Sequence, residues 1–272
     1  MKDHTPKTKI SELLKNLVRF RKDLERCGHE HDAETFFPLM RTLVSYLAKI
    51  HDPLTVELFR HSEYFRDYQS FFISQQNSYY HAIESTEALS LKKKLQSAGQ
   101  SILDIFDQEF SRNAYLRIKD VQDLIDFSKC GTFAMVGCGP LPATLFYIHE
   151  KTNIETIIGV DNNREAIDIA GKLIEHQEFP RIQLKHINGM NFNYQEADII
   201  YIANLVSPKR KILNQIIETT RNDVKVILRD PYGMGILLSE SGMEDLDPRF
   251  KLIGEGTKNE YFLSRHFFLR RG

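Results

Sequence analysis

Residues 133–142 read Phe-Ala-Met-Val-Gly-Cys-Gly-Pro-Leu-Pro, and 24 positions after Gly137 the chain reaches Asp161 at the end of a second apolar run, Ile157-Ile158-Gly159-Val160. A strand that runs into a glycine turn, followed one strand later by a carboxylate, is how an α/β sheet grips a ribose-containing ligand. The prolines narrow the class. A dinucleotide fingerprint wants a third glycine about where Pro142 stands, so that the helix packs close beneath a pyrophosphate. Pro140 and Pro142 instead remove backbone N–H groups from the turn and leave a poor anion cradle. The turn therefore suits a ligand with a ribose and no phosphate, and S-adenosylmethionine is the expected one.

The surrounding pattern supports a sheet. From Thr132 onward, short β-branched runs alternate with amphipathic stretches, which predicts strands at 132–137, 154–160, 181–186, 197–203 and 224–229 and helices at 141–151, 163–176 and 208–220. Such alternation builds a doubly wound parallel sheet. After Pro231 two apolar segments, Phe250 to Gly254 and Tyr261 to Leu269, follow without a long helix between them and predict a terminal antiparallel hairpin. The first 127 residues differ. Ile10, Leu13, Leu14, Leu17 and Val18 form one helical stripe and Leu39, Met40, Leu43, Val44 and Leu47 another. Aromatic residues thicken between Phe59 and Tyr80, a pattern typical of inter-helix core or a domain interface. The expected class is α/β: an S-adenosylmethionine-methyltransferase-like doubly wound sheet over residues 128–272, behind an N-terminal all-helical domain over 1–127. The ligand cleft belongs at the C-terminal ends of the strands.

Bulk properties exclude several partners. A formal net charge of −1 gives no basic field for nucleic acid. Three cysteines, Cys27, Cys130 and Cys138, make no disulfide framework and suit a reducing cytosol. No apolar stretch approaches the roughly 18 residues of a spanning helix, and the N-terminus lacks a signal-peptide core. The expectation is a cytoplasmic protein with neither nucleic-acid nor membrane partners; oligomeric state, a homodimer included, stays open. Cys27-Gly28-His29-Glu30-His31 carries ligand-type side chains at alternate positions without an evident fourth ligand, so no metal is expected. Lys92-Lys93-Lys94 reads as a solvated helix face.

Around the turn, Gly137, Cys138, Gly139, Pro140 and Leu141 let backbone approach the ligand. Asp161, with Asn162 beside it, is placed to accept ribose hydroxyls, to cap the following helix, or both. Asn188-Gly189-Met190-Asn191 follows the third strand where such folds hold adenine: an asparagine amide for the exocyclic amine, Met190 for the ring face. A plain Asn-Gly turn is the competing reading. Asn204 and Leu205, ending the fourth strand, should border the sulfur or amino-acid end of the ligand. Arg229 either forks a substrate carboxylate or holds the loop at Asp230-Pro231.

These segments together resemble the nicotianamine synthase family. Val136-Gly137-Cys138-Gly139-Pro140-Leu141-Pro142 is similar to that family's glycine-proline-leucine-proline turn, with Cys138 where serine is common. Further matches are Val160-Asp161-Asn162, the run Ala197 to Val206, the Leu228-Arg229 strand end with Gly233, and the closing Glu260-Tyr261-Phe262-Leu263-Ser264-Arg265. The resemblance covers residues 130–270, and the chain looks most like the bacterial branch that builds opine-type metallophores of the staphylopine kind. It implies transfer of the aminobutanoyl arm of S-adenosylmethionine, as co-substrate, to the α-amino group of histidine, D or L, with release of 5′-methylthioadenosine. A separate opine dehydrogenase would complete the metallophore. An ordinary methyltransferase and a non-catalytic S-adenosylmethionine sensor are the rival readings.

An amino-acid ammonium must lose a proton before it attacks, and a desolvated carboxylate can take it. By resemblance to the family's aromatic segment followed by a glutamate, the segment Ser78 to Glu87 supplies the candidates. Glu84 and Glu87 share a helix face; Glu84 is favoured because Tyr80 and Ile83 can desolvate it while Tyr79 and His81 add polar neighbours. Tyr115 is a second catalytic candidate, to orient the amine, against a role in core packing.

Overall fold

The computed structural model describes residues 6–27, 34–94, 109–122, 124–177, 179–258 and 263–272. The apolar stripes close into helices α1 (Pro6–Arg26), α2 (Phe36–Ala48) and α3 (Pro53–Arg60), followed by the long α4 (Phe65–Lys94). Leu13, Leu17, Phe20 and Leu24 recur at three- and four-residue steps on the buried side of α1, whereas Val18 of the predicted stripe faces outward. Helix α3 starts on Asp52, whose carboxylate accepts the Leu54 N–H, with Pro53 where a missing N–H is harmless.

Helix α4 runs 30 residues, about 45 Å, and its buried residues change partners along the way. Phe72, Tyr79 and Ile83 pack with Phe36, Met40 and Leu43 in a helical core. Ala88 and Leu91 instead join the core beneath the sheet, together with Tyr115 of α5 (Glu109–Leu116) and Val121 of α6 (Lys119–Gln122). The helical core is closed by Met234, Leu237, Leu238 and Leu263 from the C-terminal half. The stretch around residues 84–87 therefore lies where one core gives way to the other.

The strands are β1 (Thr132–Val136), β2 (Thr156–Asp161), β3 (Ile182–His186), β4 (Ile199–Ile202), β5 (Lys225–Pro231), β6 (Phe250–Glu255) and β7 (Ser264–Arg271). Helices α7 (Ala143–Lys151), α8 (Arg164–Gln177) and α9 (Lys209–Thr219) connect them. One sheet runs β3-β2-β1-β4-β5-β7-β6, with β7 antiparallel to both its neighbours and the other described pairings parallel. The predicted doubly wound sheet and terminal hairpin are present, with β7 inserted between β5 and β6. Just ahead of β4, the Asp198 carboxylate accepts the N–H groups of Gly131 and Thr132, pinning the start of β1.

Period-two alternation sorts the strands cleanly. Phe133, Met135, Ile157, Ile199, Tyr201, Ile227 and Phe268 face one side; Ala134, Val136, Ile158, Ile200, Ile202, Leu228 and Leu269 face the other. Chain progression reverses between β1 and β4, so the crevice outside their C-terminal ends is the switch point at which such sheets bind ligands. Among the described residues no helix is long and apolar enough to cross a membrane. His29 and His31 of the alternating Cys/His segment lie outside the described residues.

Candidate active site

A cavity of about 410 Å³ opens at the switch point between β1 and β4. Its floor is the turn after β1. Gly137 and Gly139 adopt φ of +77° and +67°, a left-handed region that side chains rarely tolerate. A Cβ at Gly137 would meet Val206 Cγ2 at 2.4 Å, so glycine is also required there for space. Val160 O accepts the N–H groups of Gly137 and Cys138, at 2.8 and 3.3 Å, and the Asp161 carboxylate accepts that of Gly139 at 2.9 Å. Pro140 has none to give. From 137 to 140 every backbone donor is thus committed to the fold or missing, as a phosphate-free ligand requires.

Asp161 uses one oxygen for Gly139 and the other for the Asn163 N–H, at 2.9 Å each. A carboxylate has about four acceptor positions, so each oxygen keeps capacity for a hydroxyl. The capping alternative falls elsewhere: Asn163 Oδ1 accepts the N–H groups of Glu165 and Ala166 at the start of α8. Asn162, Asn188, Gly189, Asn204 and Leu205 also line the cavity, as do Cys138, Pro140 and Leu141. Asn188 Oδ1 accepts the Met190 N–H at 2.9 Å, and Gly189 O accepts the Tyr194 hydroxyl at 2.8 Å, fixing the Asn-Gly turn.

The opposite wall comes from α4. Asn77, Tyr80, His81 and Glu84, spaced three, one and three apart, present one helix face to the cavity. The Glu84 carboxylate lies directly over the glycine turn: a Cβ on Gly139 would meet its Oε2 at 2.5 Å. Burial raises Glu84 to about 8 against the pull of Arg117, with Asp161 and Glu87 pushing the same way as burial. His81 Nε2 stands 3.4 Å from Glu165 Oε2 and ties α4 to α8.

Four expected site residues lie elsewhere. Tyr115 is fully buried, its hydroxyl donating to Glu150 Oε2 and its ring edge-on to Tyr147, because α5 packs that ring against α7. Burial, with Glu150, raises its pKa. Tyr79 packs edge-on against Phe37 and Tyr80 in the helical core. Met190 packs against the cluster on the far face of the sheet instead of lining the cavity. Glu87, 5% exposed, is off the cavity with neither oxygen hydrogen-bonded among the described residues, and burial raises it to about 7. Arg229 does line the cavity, held by its Nε donating to Ser264 Oγ at 2.8 Å. The loop at Asp230 has a different cation: buried Lys209 donates to Asp230 Oδ1 at 3.0 Å. Arg117, which sequence reasoning missed, also lines the cavity. Helical spacing back from Glu84 would have found Asn77; no local pattern marks Arg117.

No family model and no curated protein matches the chain. Among solved structures it resembles MtNAS, a nicotianamine synthase, in complex with MTA and tNA, at a TM-score of 0.82 and 16% identity over 96% of this chain and 98% of that one. It likewise resembles a glutamate-to-glutamine variant of MtNAS in complex with S-adenosylmethionine, at a TM-score of 0.78 and 16% identity over 94% and 97%. The mitomycin 7-O-methyltransferase MmcR matches at a TM-score of 0.50 and 12% identity over 98% of both chains. These likenesses establish the fold: the S-adenosylmethionine-methyltransferase-like sheet with helices added at its N-terminal side.

Proposed function

We propose that this chain is an S-adenosylmethionine-dependent transferase that moves the 3-amino-3-carboxypropyl (aminobutanoyl) arm to the α-amino group of histidine, releasing 5′-methylthioadenosine. The product would feed an opine dehydrogenase in the assembly of a staphylopine-type metallophore. One observation carries the reading: a carboxylate with a raised pKa, Glu84, sits over the glycine turn of a cavity suited to a ribose without phosphate. The binding of S-adenosylmethionine and of MTA by MtNAS supports it.

S-adenosylmethionine supplies an electrophilic carbon: the acceptor nitrogen bonds to the arm's γ-carbon as the C–S bond breaks, and sulfur keeps the electron pair. The chain's residues do the rest. Asp161 accepts the ribose hydroxyls, Asn188 and Gly189 border the base, and Asn204 and Leu205 border the sulfur end. Glu84, as carboxylate, takes the proton that the acceptor ammonium must lose. Its place over the turn makes attack on the longer arm a matter of alignment. Methyl transfer would need the acceptor nitrogen in line with a different C–S bond.

Mass spectrometry of a reaction with S-adenosylmethionine and histidine tests this. We expect 5′-methylthioadenosine and a histidine adduct heavier by the aminobutanoyl arm. S-adenosylhomocysteine would identify a methyltransferase, and an unchanged co-substrate a sensor; either result overturns the reading.

A further inference from the structure

Two arginines line the cavity toward one face of the sheet. Ile227 of β5 packs beneath the sheet, and Arg229, two residues on, faces the same side. His266, the register partner of Arg229 on β7, and Tyr201 on β4 face that side too, joined by a hydrogen bond of 3.0 Å. Arg117 follows α5 between Tyr115 and Ile118, both anchored in that same core. It lines the same cavity as Glu84 and Arg229, and its charge acts on Glu84, Tyr201 and His266. Burial, with Arg117 adding, pushes His266 down to about 3, so the imidazole stays neutral.

The two arginines are not equivalent. Ile202 pairs with Leu228, so Arg229 lies level with the exit of β4 at Ala203 and Asn204, the end that the proposed function gives to the sulfur and its amino-acid arm. Arg117 is the one whose charge reaches Glu84. In an α-amino acid one carbon separates carboxylate from amine, so a carboxylate held at Arg117 brings the amine toward Glu84. Resting on the function proposed above, we infer that Arg229 holds the carboxylate of the sulfonium donor's arm and Arg117 that of the acceptor, which restricts acceptors to amino acids with an intact α-carboxylate.

Calorimetric titration of the full chain saturated with 5′-methylthioadenosine tests this without turnover. Histidine is compared with histamine, which keeps the imidazole and the amine and lacks the carboxylate. We expect wild type to bind histidine about tenfold or more tighter than histamine. Arg117→Gln should abolish that ratio, and Arg117→Lys should keep part of it, as a point charge without the fork. Arg229→Gln should weaken S-adenosylmethionine binding and leave the ratio intact. Equal binding of the two acceptors to wild type, a ratio unchanged in Arg117→Gln, or no binding of either acceptor would overturn the inference. Formation of S-adenosylhomocysteine in turnover would sink the transfer reading, while the binding ratio would still decide the carboxylate site.

Discussion

The floor of the cavity and its helical wall are built by different means. The floor is local: Gly137, Gly139 and Asp161 belong to one βαβ unit, and backbone hydrogen bonds between β1 and β2 fix their geometry. The wall is assembled from a distance. Glu84 comes from α4 and Arg117 from the turn after α5, and they meet at the site because α4 passes from the helical core to the core beneath the sheet. The floor's backbone donors are committed and its carboxylate, Asp161, is held by two N–H groups; the carboxylate with the raised pKa, Glu84, sits above it. The floor should therefore govern affinity and the wall chemistry.

The largest expected effect separates the two. Glu84→Gln should lower turnover by about 10²–10⁴-fold, the usual worth of a positioned base, while S-adenosylmethionine affinity by calorimetry stays near wild type. In wild type, kcat/KM should rise with pH through about 8, because the carboxylate must be ionised to accept a proton. In kcat the same limb should move to lower pH, since a bound sulfonium cation favours the carboxylate. Unchanged turnover in Glu84→Gln would remove chemistry from the wall.

Glu87, one helical turn on, tests whether burial alone makes a catalytic carboxylate. Its folded pKa of about 7 lies above the unfolded 4.5, so the folded state binds the proton more tightly and stability falls as pH climbs from 4.5 through 7. Glu87→Leu removes that penalty. Thermal unfolding should show the variant more stable than wild type at pH 8.5, by of order 3 kcal/mol, with the gap closing on acidification to pH 5. A gap independent of pH would mean that this carboxylate is not the source. Turnover should survive the change, since Glu87 does not line the cavity.

On the floor, Asp161→Ala should weaken S-adenosylmethionine binding by about 1–3 kcal/mol, the worth of hydrogen bonds to a charged group. The variant also strips Gly139 N–H and Asn163 N–H of their acceptor, so the turn loosens with the ribose contact. Unaltered affinity would dissociate the carboxylate from the ribose.

The same contrast explains what could be read in advance. The sheet was legible because short β-branched apolar runs alternate along the chain with amphipathic stretches of helical period. The turn was legible because two prolines state what it cannot donate. Glu84 was legible only through an aromatic segment resembling a known family. Tyr79, on the same stretch, turned out to pack with Phe36 and Phe37, because helical spacing assigns a face without saying which neighbour covers it. Met190 went astray likewise: the Asx-type turn at Asn188 sends its side chain to the far-face cluster. Arg117 was invisible, since its position depends on the docking of α5 against α7 and the end of α4, about 25 to 35 positions away in sequence.

Gly139 is the position where floor and wall touch, and its substitution carries the smallest and most discriminating effect. Alanine at φ +67° costs about 1–2 kcal/mol of backbone strain, and its Cβ would stand 2.5 Å from Glu84 Oε2. The carboxylate is the flexible end of a long side chain, so it moves and the turn stays. Gly139→Ala should therefore lower turnover more than S-adenosylmethionine affinity, the reverse of Asp161→Ala, although both lie on the floor. Gly233 supplies the control: φ is +53°, with nothing among the described residues within 4 Å of the added Cβ. Gly233→Ala should lower the melting temperature comparably, by about 2–4 °C per kcal/mol of strain, with kcat unaffected. If the two alanine variants lose turnover alike, strain alone accounts for the loss; if Gly139→Ala alone loses it, contact with the turn is what holds the base in place.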